Sequence, residues 1–131
     1  MLILLLFCTL SCNNLKTTIT EDIKVNKEKY NKLAEAIYKC DFSRFSYNQY
    51  IGKEYFPEIL VAALNDTKLK DKVQYISLYK SSYCDNNSFN LKSGEYHIWY
   101  DSCPKSSFYL NEKLMDEWRV DNNWSITKSY R

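Results

Sequence analysis

Glu95-Tyr96-His97-Ile98-Trp99-Tyr100-Asp101 is the stretch whose period decides the fold class. Side chains alternate along a strand, so Tyr96, Ile98 and Tyr100 share one face, and Glu95, His97, Trp99 and Asp101 share the other. The even positions are apolar and the odd ones mostly polar, which is the pattern of a strand half-buried in an antiparallel sheet. Pro104 cannot donate to a ladder and ends the run.

Working outward, the downstream side continues in strands. Ser107 to Leu110 is a further strand candidate. Glu117-Trp118-Arg119-Val120 and Trp124-Ser125-Ile126-Thr127 read as a hairpin closed by Asp121-Asn122-Asn123, residue types that tolerate turn geometry. Upstream, Val73, Tyr75, Ser77 and Tyr79 alternate with Gln74, Ile76 and Leu78. A central strand and a helix through 69–80 both fit this run. Residues 81–94 are a loop rich in Ser, Asn and Asp, with a short strand at 88–92.

Before the strands the period changes. Residues 26–40 place Tyr30, Leu33, Ala34, Ile37 and Tyr38 on one stripe at a spacing near 3.6, with Lys and Glu opposite and Asn26 positioned to cap the helix. Residues 42–56 hold Phe42, Phe45, Tyr47, Tyr50, Tyr55 and Phe56 in neither period. An irregular segment whose rings close one end of the core is expected there. Pro57 fits the first turn of a second helix running to Leu64. Helices first and strands after give α+β, with N-terminal helices packed on a three- to five-stranded antiparallel sheet.

The N-terminus supplies an address. Residues 2–7 are uniformly apolar and the first eleven residues carry no charge. A membrane-spanning helix needs ~20 apolar residues. This run is too short to span and matches the ~7–15-residue apolar core of a signal peptide. Thr9-Leu10-Ser11-Cys12 resembles a bacterial lipobox, with a small residue directly before the cysteine. The resemblance implies removal of residues 1–11 and lipidation of Cys12 by diacylglycerol and a palmitate-type acyl chain. Asn13 in place of Asp after the cysteine implies the outer membrane, facing the periplasm. Residues 12–22 then read as a lipidated tether and residues 23–131 as a single α+β domain. Two departures stand against the lipobox pattern. No Lys or Arg precedes Leu2, and Thr9 and Leu10 replace the usual Leu and small residue.

Composition excludes several classes. The 131 residues carry a net charge of +2 without a block of one sign, so nucleic acid is not an expected partner. With 2 glycines the chain has no glycine-rich phosphate loop. No CxxC pair or His/Cys spacing marks a metal site, and no cofactor is expected. Of the 5 cysteines, Cys8 and Cys12 belong to the signal and lipobox. Among Cys40, Cys84 and Cys103, a Cys84–Cys103 disulfide and buried free thiols are both compatible with the sequence.

A second resemblance concerns the domain. Ala36-Ile37-Tyr38-Lys39-Cys40-Asp41-Phe42 and Trp118-Arg119-Val120-Asp121-Asn122-Asn123-Trp124-Ser125-Ile126 are similar to the first helix end and closing hairpin of the cone-shaped, nuclear-transport-factor-like (cystatin-like) superfamily. Enzymes of that fold use a His/Asp pair, which directs attention to His97, the one histidine. His97 and Asp101 lie four strand residues apart, ~13 Å, so they cannot touch. Tyr75, Tyr79, Tyr96, Trp99 and Tyr100, with His97, are the candidate residues for binding a protein or a small apolar ligand, since Tyr and Trp dominate binding surfaces. The reading that follows is a non-catalytic, membrane-anchored lipoprotein with a binding domain at the cell envelope. An immunity- or inhibitor-type protein that sequesters a partner is the second reading. A cone-fold enzyme using His97 is the third.

Overall fold

The structure, a computed structural model, describes residues 15–80, 87–103 and 115–129. Three helices come first: α1 (Leu15–Val25), α2 (Lys27–Lys39) and α3 (Glu58–Asn65). The strands are β1 (Ile51–Gly52), β2 (Tyr75–Lys80), β3 (Asn87–Ser93), β4 (Tyr96–Asp101), β5 (Met115–Arg119) and β6 (Trp124–Ser129). They form one antiparallel sheet in the order β1-β2-β3-β4-β6-β5. The α+β class is as expected from the sequence, with six strands rather than three to five. The added strand is β1, two residues of the aromatic segment that pair Ile51 with Ile76 and Gly52 with Tyr75. Ser107 to Leu110 lie outside the described residues.

The sheet register explains the core. Ile76, Leu91, Ile98 and Ile126 stand in one row across β2, β3, β4 and β6. Leu78, Phe89, Tyr100 and Trp124 form the next row of the same face. Onto these rows α1 sets Ile19 and Ile23, α2 sets Tyr30, Leu33 and Ile37, and α3 sets Leu60 and Leu64. Burying each large apolar side chain contributes about 1.5–3 kcal/mol, so this shared layer is the main stabilising contact. Tyr30 meets Trp124 edge to face at 5.7 Å, joining helix and sheet.

Two expectations need correction. Residues 15–22 are not a tether: they belong to α1, and Ile19 and Ile23 of that helix are buried. Asn26 does not cap α2 through its side chain. Its amide instead donates to Asp22 Oδ1 at 2.6 Å, and Asp22 also accepts from Tyr30 Oη at 2.5 Å and the Lys68 N–H at 3.0 Å. A buried carboxylate at the α1–α2 elbow thereby ties both helices to the turn after α3. The ambiguous run at 73–80 is a strand from Tyr75, because its alternation matches β3 residue by residue. β3 and β4 are joined by Gly94-Glu95, where Gly94 has φ +59. A positive φ at the first of two turn residues suits glycine and a tight hairpin.

Candidate functional site

The register divides the six predicted site residues between two faces. Tyr96 and Tyr100 point toward the helices and pack against the core. On the opposite face, one row runs Tyr75, Lys92, His97, Thr127 and Glu117. The next runs Ser77, Asn90, Trp99, Ser125 and Arg119. Tyr79 follows beside Ser88, which pairs with Asp101. Tyr75, Tyr79, His97 and Trp99 are thus brought together on one face. Tyr79 and Trp99 rings lie 5.0 Å apart, and Trp99 Nε1 donates to Thr127 Oγ1 at 2.8 Å. Tyr75 is already stacked on Tyr50 at 4.2 Å, and its phenol is pushed up to about 12 by burial and by the Tyr50 hydroxyl.

This face is polar yet buried. Ser77, Asn90, Ser125 and Thr127 are all buried, as is Trp99. His97 sits among them with Nε2 at 3.5 Å from Lys92 Nζ and Nδ1 at 3.3 Å from Asn90 Oδ1. An ammonium can only donate, so Nε2 is the accepting nitrogen and Nδ1 carries the proton toward Asn90. Burial, and then the Lys92 charge, lower the imidazole pKa to about 4. At neutral pH His97 is therefore uncharged, with its basic nitrogen turned to a cation. The neighbouring acid of its own strand, Asp101, is two rows away and accepts from the Cys103 N–H at 2.8 Å. Among the described residues no group of three His, Cys, Asp or Glu side chains is placed to hold a metal ion.

A second site was not named from the sequence. Where α2 ends, Cys40 turns extended and the chain loops over the open edge of β2. Asp41 accepts from the Ser43 N–H at 3.1 Å, and the Phe45 N–H bonds back to the Phe42 carbonyl at 2.9 Å. Asn48, with φ 66, then donates its N–H to the Leu78 carbonyl at 2.9 Å and docks the loop on the sheet. The result is a cleft of about 400 Å³ between α2, the loop, β2 and the start of β3. Tyr38, Phe42, Phe45, Tyr47 and Leu78 form its walls, with Asp41 beside them. Both tyrosine hydroxyls donate to Asn87, Tyr38 to its carbonyl at 2.6 Å and Tyr47 to Oδ1 at 3.0 Å.

The polar groups of the cleft are set by their partners. The Asp41 carboxyl is held below its usual range by hydrogen bonds from the Ser43 hydroxyl and N–H. Burial pushes the Cys40 thiol up, and its Sγ donates to the Ala36 carbonyl at 3.1 Å, so it stays protonated and inert. Two further concavities lie among the described residues. One of about 110 Å³ lies against α3 at Phe56, Val61 and Leu64. The other, about 330 Å³ and polar, lies at the α1–α2 elbow around Thr18, Glu21 and Lys68. The sequence hint for the aromatic cleft was residues 42–56, too aromatic for an ordinary loop and in neither period.

Cys103 is disulfide-bonded and Cys40 is a free thiol. Cys84, the expected partner of Cys103, and Cys12, the expected lipid site, lie outside the described residues. No helix among the described residues is long and apolar enough to cross a membrane. Compared with protein-family models, with curated proteins and with solved structures, the chain finds no match.

Proposed function

We propose that the chain is a non-catalytic binding domain anchored by lipid on Cys12 to the bacterial cell envelope, at the outer membrane facing the periplasm, and that it binds a small ligand in the cleft at the end of α2. The observation that carries the binding half is the cleft. Its volume, about 400 Å³, falls within the ~300–1,000 Å³ of small-molecule sites, and its walls are aromatic and apolar with a few polar groups. The lipobox resemblance of Thr9-Leu10-Ser11-Cys12 carries the anchor half. What supports a non-catalytic reading is the setting of His97, whose bonded neighbours are Lys92 and Asn90 rather than a carboxylate.

Two measurements test the halves separately. Cells expressing the full chain and fed an alkynyl fatty acid are expected to label it, and Cys12→Ala is expected to abolish the label and release the protein from the membrane fraction. Persistent labelling of Cys12→Ala overturns the anchor. For the cleft, benzyl alcohol added to the full Cys12→Ala chain is expected to shift the amide resonances of Phe42, Tyr47 and Leu78. Resonances unmoved by benzyl alcohol and by positively and negatively charged benzyl compounds alike overturn the binding site.

A further inference from the structure

Resting on that reading of the cleft, we infer that its ligand is a small organic cation, an ammonium group carried on an apolar body. Among the described residues that line the cleft, Asp41 is the one with a formal charge, and hydrogen bonds from Ser43 together with the nearby Arg44 charge hold it ionised. A carboxylate beside the aromatic walls favours a positive ligand and disfavours a carboxylate or phosphate.

The hydroxyls point the same way. Tyr38 and Tyr47 have spent their protons on Asn87, so what each phenol oxygen still offers is a lone pair. The Cys40 thiol is likewise spent on Ala36. These lone pairs present negative charge and no proton, which suits a cation, whether or not it carries an N–H, and not an anion that must accept.

The rings supply the third element. Tyr38, Phe42, Phe45 and Tyr47 surround the space, and the negative faces of aromatic rings attract cations, quaternary ammonium above all. Phe45 already shows this property toward the loop's own Arg44, whose guanidinium carbon lies 5.1 Å from its centroid and 4.7 Å from that of Tyr55. Arg44 is not among the lining residues, so that cation does not fill the cleft. Phe42 is buried and packed against Phe45 at 6.1 Å, so the wall is preformed rather than assembled by the ligand. Aromatic walls with Ile37 and Leu78 among the lining residues, beside one carboxylate, select a cation with an apolar body over a bare metal ion.

A charge series on one skeleton tests this. The full Cys12→Ala chain is titrated with benzyltrimethylammonium, benzyl alcohol and phenylacetate, following amide shifts of the cleft residues. Benzyltrimethylammonium is expected to bind about tenfold more tightly than benzyl alcohol, and phenylacetate most weakly. Asp41→Asn is expected to reduce the affinity for the cation about threefold while leaving benzyl alcohol unchanged. Tyr47→Leu, on the exposed loop, is a second variant expected to weaken the cation about threefold through loss of a ring face. Equal binding of all three probes, or preference for phenylacetate, overturns the cation while leaving the cleft as a binding site. Cation affinity unmoved in both variants also overturns it. Absence of cleft shifts with every probe overturns both.

Discussion

Asp22 and His97 are both ionisable groups drawn out of water, and their partners decide opposite outcomes. Burial alone would raise the Asp22 pKa, but donation from Tyr30, the Lys68 N–H and Asn26 outweighs it and holds the carboxyl below its ordinary value. Among the described residues His97 finds no carboxylate to hold its charge, and burial together with Lys92 brings its pKa to about 4, against an ordinary 6.5. Between those two values the unfolded chain binds a proton that the folded chain refuses. The His97 contribution is therefore fully present above pH ~6.5, declines as pH falls toward 4, and is constant below that. Its size is about 1–3 kcal/mol, the upper end being the full shift and the lower end allowing for partial exposure. Asp22 acts in a separate window. Its stabilisation holds above the ordinary carboxylate pKa and is lost only as pH falls through the lower folded value. Urea unfolding at pH 7.5 and pH 4.5 is expected to show a smaller loss of stability for His97→Gln than for the unaltered chain, by that same 1–3 kcal/mol. An imidazole resonance titrating near pH 6.5 in the folded protein would rule this out.

At the scale of elements, α1 carries more of the fold than its composition suggests. Its stripe is Leu15, Ile19 and Ile23, one apolar residue per turn among threonines and charges, whereas α2 shows pairs such as Leu33-Ala34 and Ala36-Ile37 at every turn. Threonine is a weak helix former, so neither propensity nor a broad stripe announced α1, and packing on the sheet decided it. Because Ile19 and Ile23 are buried in the shared core, Ile23→Ala is expected to cost about 2–5 kcal/mol in a denaturant titration. Thr17→Ala, on the exposed side, is expected to change stability by less than ~0.5 kcal/mol. A flexible tether would give negligible effects for both, so equal small values would restore that reading. The same contrast explains what else was legible. α2 and β4 announce themselves because their period repeats within the element, β2 is legible only as one of two readings because both of its faces are apolar, and the Asp121-Asn122-Asn123 turn shows because Asp121 Oδ1 accepts the N–H groups of Asn123 and Trp124 at 2.8 Å each. β1 is two residues long and exists through its pairing with Ile76 and Tyr75. The cleft needs Leu78 and Asn87 from distant strands to meet Tyr38 and Tyr47, a juxtaposition that no local pattern encodes.

Across the whole molecule the cysteines connect the fold to the proposed envelope location. α1 begins at Leu15, three residues after Cys12, and three residues span at most about 11 Å. A lipid on Cys12 therefore holds the domain against the bilayer rather than away from it. At the start of α1, Lys16 lies over the Trp118 ring at 4.0 Å and Leu15 packs beside Gly94. The proposed export would place the chain where disulfides form and persist, and Cys103 is bonded while the free Cys40 thiol is partly buried. With residues 1–11 removed and Cys12 lipidated, Cys84 is the one cysteine left to pair with Cys103. That closes a loop of about 20 residues, which contributes about 3 kcal/mol in the chain-entropy account. Alkylation followed by intact-mass measurement checks the full assignment. The mature protein, unfolded without reductant, is expected to take up one alkyl group, on Cys40. After reduction it is expected to take up three, on Cys40, Cys84 and Cys103, while Cys12 remains blocked by its thioether. In the native state Cys40 is expected to react at least tenfold more slowly than in the unfolded chain, because its thiol is partly buried and protonated. Three groups without reduction would remove the disulfide, and a fourth after reduction would remove the lipid from Cys12.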